Sequence, residues 1–259
     1  MKYRVLSTLL AAALGSTALL FAPAAWADNG KFSLASGFDY STGNYGTAST
    51  TDIFSIPVIG KFSTGPWLFK LTTPYIRISG TGAVIPGTGT VRRGGTARST
   101  QSGLGDTVAA VTYNLYDENS SAPGIDLTGK VKLATADAGL GSGANDYSAQ
   151  MDVYRTLDKF TAMGTLGSKI MGSPGNGISL NTVIYGSFGG AYQFSGNTSG
   201  GVDFSLAQTP SALSIRQQEL TAYVNYRIDK HFKAQGYVLK GYANGSPDSG
   251  VGGLVTYGF

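Results

Sequence analysis

The sequence contains no cysteine and a single histidine, so the side chains that many enzymes use are missing. Without cysteine there is no disulfide, no thiolate metal site and no cysteine nucleophile. Charged residues are also scarce, at 13% of the chain against about 25% in ordinary globular domains. We therefore expect neither catalysis nor a cofactor or metal ion. The formal net charge of +4 is also too small to indicate a nucleic-acid partner.

Beyond the N-terminal segment, the chain lacks any continuously apolar stretch of about 18 residues that would predict a transmembrane helix. The first residues combine two basic side chains, an apolar middle and the small-residue ending Ala25-Trp26-Ala27, which is the layout of a secretory signal peptide. An uncleaved anchor helix is the alternative, but glycine and hydroxyl residues interrupt the apolar run. We predict a signal peptide over 1–27 and a mature chain over 28–259.

The mature chain is rich in glycine and aromatic residues and alternates between apolar and polar positions. Leu220, Val224 and Tyr226 share one face of an extended segment, and Glu219 and Arg227 share the other. Similar alternation predicts about twelve strands. They lie near 31–43, 51–63, 66–79, 103–116, 124–136, 146–157, 159–171, 182–194, 200–208, 216–228, 231–242 and 250–259.

The connections between these strands alternate in length, which favours a membrane barrel over a soluble sandwich. Those after strands 2, 6 and 10 are very short, whereas the connection over 80–103 is long. Short periplasmic turns and long extracellular loops are typical of bacterial outer-membrane barrels. We therefore predict an all-β, closed antiparallel transmembrane barrel of about twelve strands, with ten or fourteen left open. Val255, Tyr257 and Phe259 would form the lipid-facing side of the closing strand.

Four stretches carry a family resemblance over roughly residues 100–259. They are "SGLGDTVAAVTYNLY", "GIDLTGKVKLATAD", "GLGSGANDYSAQMDVY" and "RQQELTAYVNYRIDKHFKAQGYVLKGYANGSPDSGVGGLVTYGF". They resemble the outer-membrane transporter family named after the meta-pathway of phenol degradation. The resemblance implies a monomeric barrel that takes up small, often aromatic or hydrophobic compounds, and it implies no particular substrate.

Strand parity places most charged side chains of the predicted barrel inside it. The outward parity is nearly free of charge, apart from Arg155 and Lys240 near strand ends, because charge facing lipid is costly. Two interpretations stay open: ion pairs that brace a filled barrel, or a narrow aqueous pore that selects by charge and shape. The candidate lumen residues are Asp106, Asp126, Lys130, Lys132, Asp152, Tyr154, Lys169, Asp203, Glu219, Tyr223 and Arg227.

The long second loop carries Arg92, Arg93 and Arg98, which we consider candidates for a constriction that favours anions. The alternative is a solvated loop that touches lipopolysaccharide phosphates. His231 could serve an outer-membrane lipid hydrolase, but its place beside the Asp229-Lys230 turn predicts a histidine at the periplasmic rim.

The predicted function is passive uptake of small molecules through the outer membrane of a Gram-negative bacterium. A non-conducting structural or adhesive barrel that acts through its loops is the alternative. The expected partners are outer-membrane lipids and lipopolysaccharide, the barrel assembly machinery and a small-molecule solute, with the protein itself monomeric.

Overall fold

A computed structural model describes residues 30–81, 84–85, 90–91, 98–173, 180–209 and 216–259. The predicted signal peptide lies outside the described residues, so its cleavage remains a prediction. Within the described ranges, no helix has the length and apolar character needed to cross a membrane.

The described chain folds into β-strands joined by turns and loops. The strands are β1 (Lys31–Gly43), β2 (Thr51–Thr64), β3 (Trp67–Gly80), β4 (Val84–Ile85), β5 (Thr90–Val91), β6 (Ser99–Leu104), β7 (Thr107–Tyr116), β8 (Gly124–Leu133), β9 (Asp146–Leu157), β10 (Phe160–Ile170), β11 (Val183–Gln193), β12 (Thr198–Ala207), β13 (Gln217–Arg227), β14 (Phe232–Gly241) and β15 (Ser249–Gly258).

Each barrel strand pairs antiparallel with its neighbours in chain order, and β1 pairs with β15 to close the sheet. The segments β6 and β7 both pair with β3 and together make one barrel strand, while β4 and β5 form a separate small hairpin. The barrel therefore has twelve strands, as predicted. Closure satisfies the backbone hydrogen bonds that lipid cannot satisfy.

The closing seam runs almost the full length of β1, from Ser33 opposite Gly258 to Thr42 opposite Ser249. At its end, the amide of Phe259 donates to the carbonyl oxygen of Phe32 at 3.0 Å. The ring of Phe259 lies 5.2 Å from that of Phe32, centroid to centroid, and 4.9 Å from that of Tyr257. Val255 and Tyr257 face outward, so the terminal strand has the predicted lipid-facing side.

Long loops and short turns lie at opposite ends of the barrel, which we name the loop end and the turn end. The turn end has the connections at 65–66, 158–159, 194–197 and 228–231, with a longer one at 117–123. Asp158 adopts a left-handed backbone conformation with φ of 55°, which lets β9 reverse into β10 within two residues. The termini of the barrel domain also meet at the turn end.

Side chains alternate between an apolar outer face and a polar inner face, as the two-residue period of a strand requires. The outer face carries charge at Asp52, Arg77, Arg155 and Lys240, each within four residues of a strand end. Arg155 and Lys240 were expected; Asp52 and Arg77 were not. Arg155 donates to the carbonyl oxygens of Asn119, Ser120 and Ala122 at 2.6 to 2.8 Å, which keeps its charge at the turn end.

Two predicted strand boundaries differ from the structure by more than two residues. The predicted strand at 103–116 begins earlier, at Ser99, and is interrupted after Leu104, where the pairing with β3 shifts by one residue. This bulge reverses the parity of the strand. The predicted strand at 124–136 ends at Leu133, because the amide of Ala134 turns away to donate to Asn145 Oδ1 at 2.8 Å.

Candidate functional site: the barrel lumen

The side chains that parity placed in the lumen do lie on the inner face of the barrel, and most of them are buried. Whether they act in permeation remains a prediction. On β6–β9 they are Asp106, Asp126, Lys130, Lys132, Asp152 and Tyr154, and on β10–β13 they are Lys169, Asp203, Glu219, Tyr223 and Arg227.

An ionic cluster of Asp106, Lys132 and Asp146 occupies the inner face near the loop end. Lys132 Nζ lies 3.2 Å from Asp106 Oδ2 and 3.1 Å from Asp146 Oδ2, so one cation is shared by two carboxylates. Asp106 shares the inward parity of Ala110 and Thr112 on β7, so its side chain faces the same space that Lys132 reaches from β8.

The same cluster holds two loops at the mouth of the barrel. Asp106 Oδ1 accepts a hydrogen bond from the amide of Ala136 at 3.0 Å, and Asp146 Oδ1 accepts one from Gly172 at 3.0 Å. Lys132 also donates to Ser142 Oγ. The residues that directly follow β8 and β10 are thus attached to the wall through charge-assisted bonds.

Above the ionic cluster, the mouth of the barrel contains an apolar group that we call the mouth cluster. Loop residues supply half of it, and inward side chains of β2 and β3 supply the rest. Its existence was missed from the sequence, although the short apolar run Val84-Ile85 inside a polar loop was a usable signal. The members are Tyr45, Ile53, Ile76, Ile78, Val84 and Leu140.

Of the three arginines proposed to form a constriction in the second loop, the structure describes Arg98. Arg98 donates to the carbonyl oxygen of Thr50 at 2.9 Å and pairs with Asp52 at 3.4 Å, at the outer rim. Arg92 and Arg93 lie outside the described residues, so the constriction they were proposed to form remains a prediction. Among the described residues, this loop enters the mouth through Val84 and Ile85, which are 4% and 1% exposed.

A polar chain runs along the inner wall of the barrel from β8 to β11. Lys130 donates to Gln150 Oε1, which also accepts from the Tyr185 hydroxyl at 3.1 Å. Gln150 Nε2 in turn donates to both carboxylate oxygens of Asp152 at 2.9 Å. Lys130 also lies 5.7 Å from the centre of the Tyr185 ring. The amide of Gln150 therefore connects a cation and an acid that parity alone would leave separate.

Four inward tyrosines each stand directly opposite a glycine on the neighbouring strand. The space above each glycine is filled by the tyrosine ring: a Cβ added to Gly252 would come within 2.3 Å of Tyr237, for example. The rings therefore cover the wall where the glycines leave it bare. The pairs are Tyr154 with Gly124, Tyr185 with Gly167, Tyr223 with Gly201 and Tyr237 with Gly252.

His231 lies at the turn end, where the sequence placed it. Its Nδ1 is 2.8 Å from the carbonyl oxygen of Gly258, and its ring stacks on Tyr257 at 5.6 Å. Asp229 accepts hydrogen bonds from the amides of Phe232 and His231, and these bonds hold the pKa of its carboxyl below the usual value. These contacts give His231 a structural place beside the closing seam.

The described residues contain no group of three histidine, aspartate or glutamate side chains that could hold a metal ion.

Comparison with solved structures bears directly on this architecture. An outer-membrane channel from Pseudomonas putida F1 aligns over 93% of this chain and 100% of its own, with a TM-score of 0.72 and 12% identity. The fold is that of an outer-membrane channel. The KdgM porin, in complex with disordered oligogalacturonate, aligns over 88% of this chain and 99% of its own, with a TM-score of 0.51 and 12% identity. No family model matches the sequence, and a search of curated proteins found no match.

Proposed function

We propose that the protein is an outer-membrane channel for the passive uptake of small molecules. The observation that supports this most directly is the solvent exposure of inward side chains midway along their strands. Thr165 and Ser187 face the lumen midway along β10 and β11, yet each keeps intermediate exposure. Because the surrounding wall is closed, such exposure is typical of water-sized space inside the barrel.

The proposed solute route leads from the loop end, past the mouth cluster, into the lower lumen. Loop residues supply half of the mouth cluster, so passage of a solute requires those loops to move while the barrel wall stays intact. The turn end is assigned to the periplasm because short turns lie there in outer-membrane barrels.

The solute class follows from the family resemblance and from the lining. The resemblance to the family named after the meta-pathway of phenol degradation favours aromatic or hydrophobic compounds, and the inward tyrosines offer surfaces on which such rings can lie. The lumen charges favour solutes that also carry a polar or anionic group.

Conductance and liposome swelling test this proposal. The purified barrel is inserted into planar bilayers, and liposomes that contain it are mixed with sugars, aromatic acids or neutral hydrocarbons. We expect small single-channel steps and faster swelling with aromatic acids than with sugars of equal size. A barrel that neither conducts nor swells liposomes would support the structural or adhesive alternative.

A lipid hydrolase is the other alternative, and His231→Ala separates it from a channel. We expect no lipid hydrolysis from the wild type and no change on substitution, because the His231 ring already lies between Gly258 and Tyr257 at the rim. Hydrolysis that His231→Ala abolishes would contradict the proposal.

The proposed partners follow from the outer surface. The exposed apolar belt would contact outer-membrane lipid, and the loop end would face lipopolysaccharide. The aromatic terminal strand with Phe259 is proposed as the segment that the barrel assembly machinery recognises. The protein is proposed to act as a monomer, since closure within one chain leaves no barrel edge unpaired.

A further inference from the structure

Basic side chains gather on one wall of the lumen towards the turn end. Lys61 of β2 stands directly opposite Lys70 of β3, and Arg227 of β13 stands directly opposite Lys233 of β14. Lys31 begins β1, which lies between these two pairs together with β15. We call these five residues the basic wall.

No acid neutralises the basic wall among the described residues. The ion pairs of the described residues join Arg98 to Asp52 and Lys132 to the acids of the ionic cluster. All of these pairs lie near the loop end, away from the basic wall. The charges that act on Lys61, Lys70 and Lys233 are other cations of the lumen and its rim. Like charges that face each other across neighbouring strands destabilise a sheet, so the arrangement favours a bound counter-ion.

The acids of the lower lumen stand on another wall. Asp126 and Asp152 belong to β8 and β9, which lie roughly across the barrel from β1 in the strand order. Lys130 stands on that same wall, where Gln150 connects it to Asp152, so these acids do not neutralise the basic wall.

An apolar patch adjoins the basic wall on its loop-end side. Ala35, Ile59 and Leu254 pack together on the inner face, and Ile59 is two residues from Lys61 on the same face of β2. They are 3%, 0% and 8% exposed, so neighbouring side chains already cover the patch. The accessible part of this wall is therefore its cations, since Lys61, Lys70 and Lys233 keep intermediate exposure.

We infer that Lys61, Lys70 and Lys233 form a binding site for small carboxylate anions. The carboxylate takes the place of the missing acid. That such an anion is a transported solute rests on the proposed channel function, whereas its binding does not.

Calorimetry of the detergent-solubilised barrel tests binding, with benzoate, acetate and benzyl alcohol as probes. We expect benzoate and acetate to bind and benzyl alcohol not to bind, because benzyl alcohol lacks the charge that the lysines recognise. The double variant Lys61→Gln/Lys70→Gln should lose benzoate affinity by about tenfold or more, since each lysine offers a charge-assisted hydrogen bond. Lys159→Gln, in an exposed turn, is the charge-matched control and should bind like the wild type.

The fold of each variant is checked by its shifted mobility in unheated gels, and Lys233→Gln provides an independent substitution in the same site. No benzoate binding by the wild type, or equal affinity in wild type and both site variants, would overturn the inference. The reversal potential under a salt gradient gives a second readout, and we expect the double variant to be less anion-selective. A barrel that binds benzoate but never conducts would refute the proposed channel and leave the binding site standing.

Discussion

Replacing Lys132 by methionine removes the cation that two buried carboxylates share. The side chains of Lys132, Asp106 and Asp146 are 17%, 10% and 4% exposed, so solvent screens them weakly. At an effective dielectric constant of about 20, unit charges at these separations attract by about 5 kcal/mol per pair. Desolvation of the charges offsets much of that attraction, and removal of one partner from a buried pair typically costs about 3–5 kcal/mol. We expect Lys132→Met to lower the free energy of unfolding by about 4 kcal/mol.

The assay is equilibrium urea unfolding of the barrel in detergent micelles or liposomes, followed by the fluorescence of Trp67. Trp67 is the one tryptophan that remains once the predicted signal peptide is removed. Lys159→Met in an exposed turn should stay within about 0.5 kcal/mol of the wild type. The triple variant Lys132→Met/Asp106→Asn/Asp146→Asn should recover most of the loss, because no uncompensated charge remains.

The same substitution should also release the loops 134–145 and 171–182, since Asp106 and Asp146 hold them at the mouth. Single-channel conductance should therefore rise in Lys132→Met. A stability loss below about 1 kcal/mol would refute the reasoning about the buried cluster. A triple variant no more stable than Lys132→Met would refute it as well.

Three further predictions concern other parts of the barrel. Phe259→Ala removes ring contacts at the closing seam and should lower the free energy of unfolding by about 1–2 kcal/mol. Refolding into liposomes, followed by gel mobility, measures this loss, and Phe259→Tyr should fold normally. Leu140→Ala removes a buried side chain of the mouth cluster and should raise single-channel conductance; unchanged conductance would mean that the cluster does not limit flow. Asp229 should titrate below the usual aspartate pKa by NMR. Its contribution to stability is therefore present above that usual value and lost as pH falls through the lowered pKa; Asp229→Asn should abolish this dependence.

The architecture was predictable because it depends on the local alternation of apolar and polar residues along each strand. The alternation of Leu220, Val224 and Tyr226 with Glu219 and Arg227 follows from the two-residue period of a strand and needs no knowledge of the partner strand. The twelve strands and the outward side of the terminal strand were read in the same way. The inward position of the lumen charges was predicted from the same alternation, because charged side chains are costly on the face that meets lipid.

The contacts of those charges were not predictable, because they depend on the register of neighbouring strands and on the closure of the barrel. Asp39 accepts a hydrogen bond from Tyr237, 198 positions later, and only barrel closure brings them together. The one-residue register shift against β3 at Gly105–Asp106 was also missed, because no local pattern indicated it. The entry of Val84 into the mouth likewise depends on an apolar cavity formed by β2 and β3.

Sequence by itself determined which face of each strand meets lipid, because that choice depends only on alternate residues along one segment. Tertiary structure decided which charges are neutralised, which stand unpaired on the basic wall and what occupies the mouth. Those outcomes depend on the register of neighbouring strands and on the packing of loops, which are properties of the closed barrel as a whole.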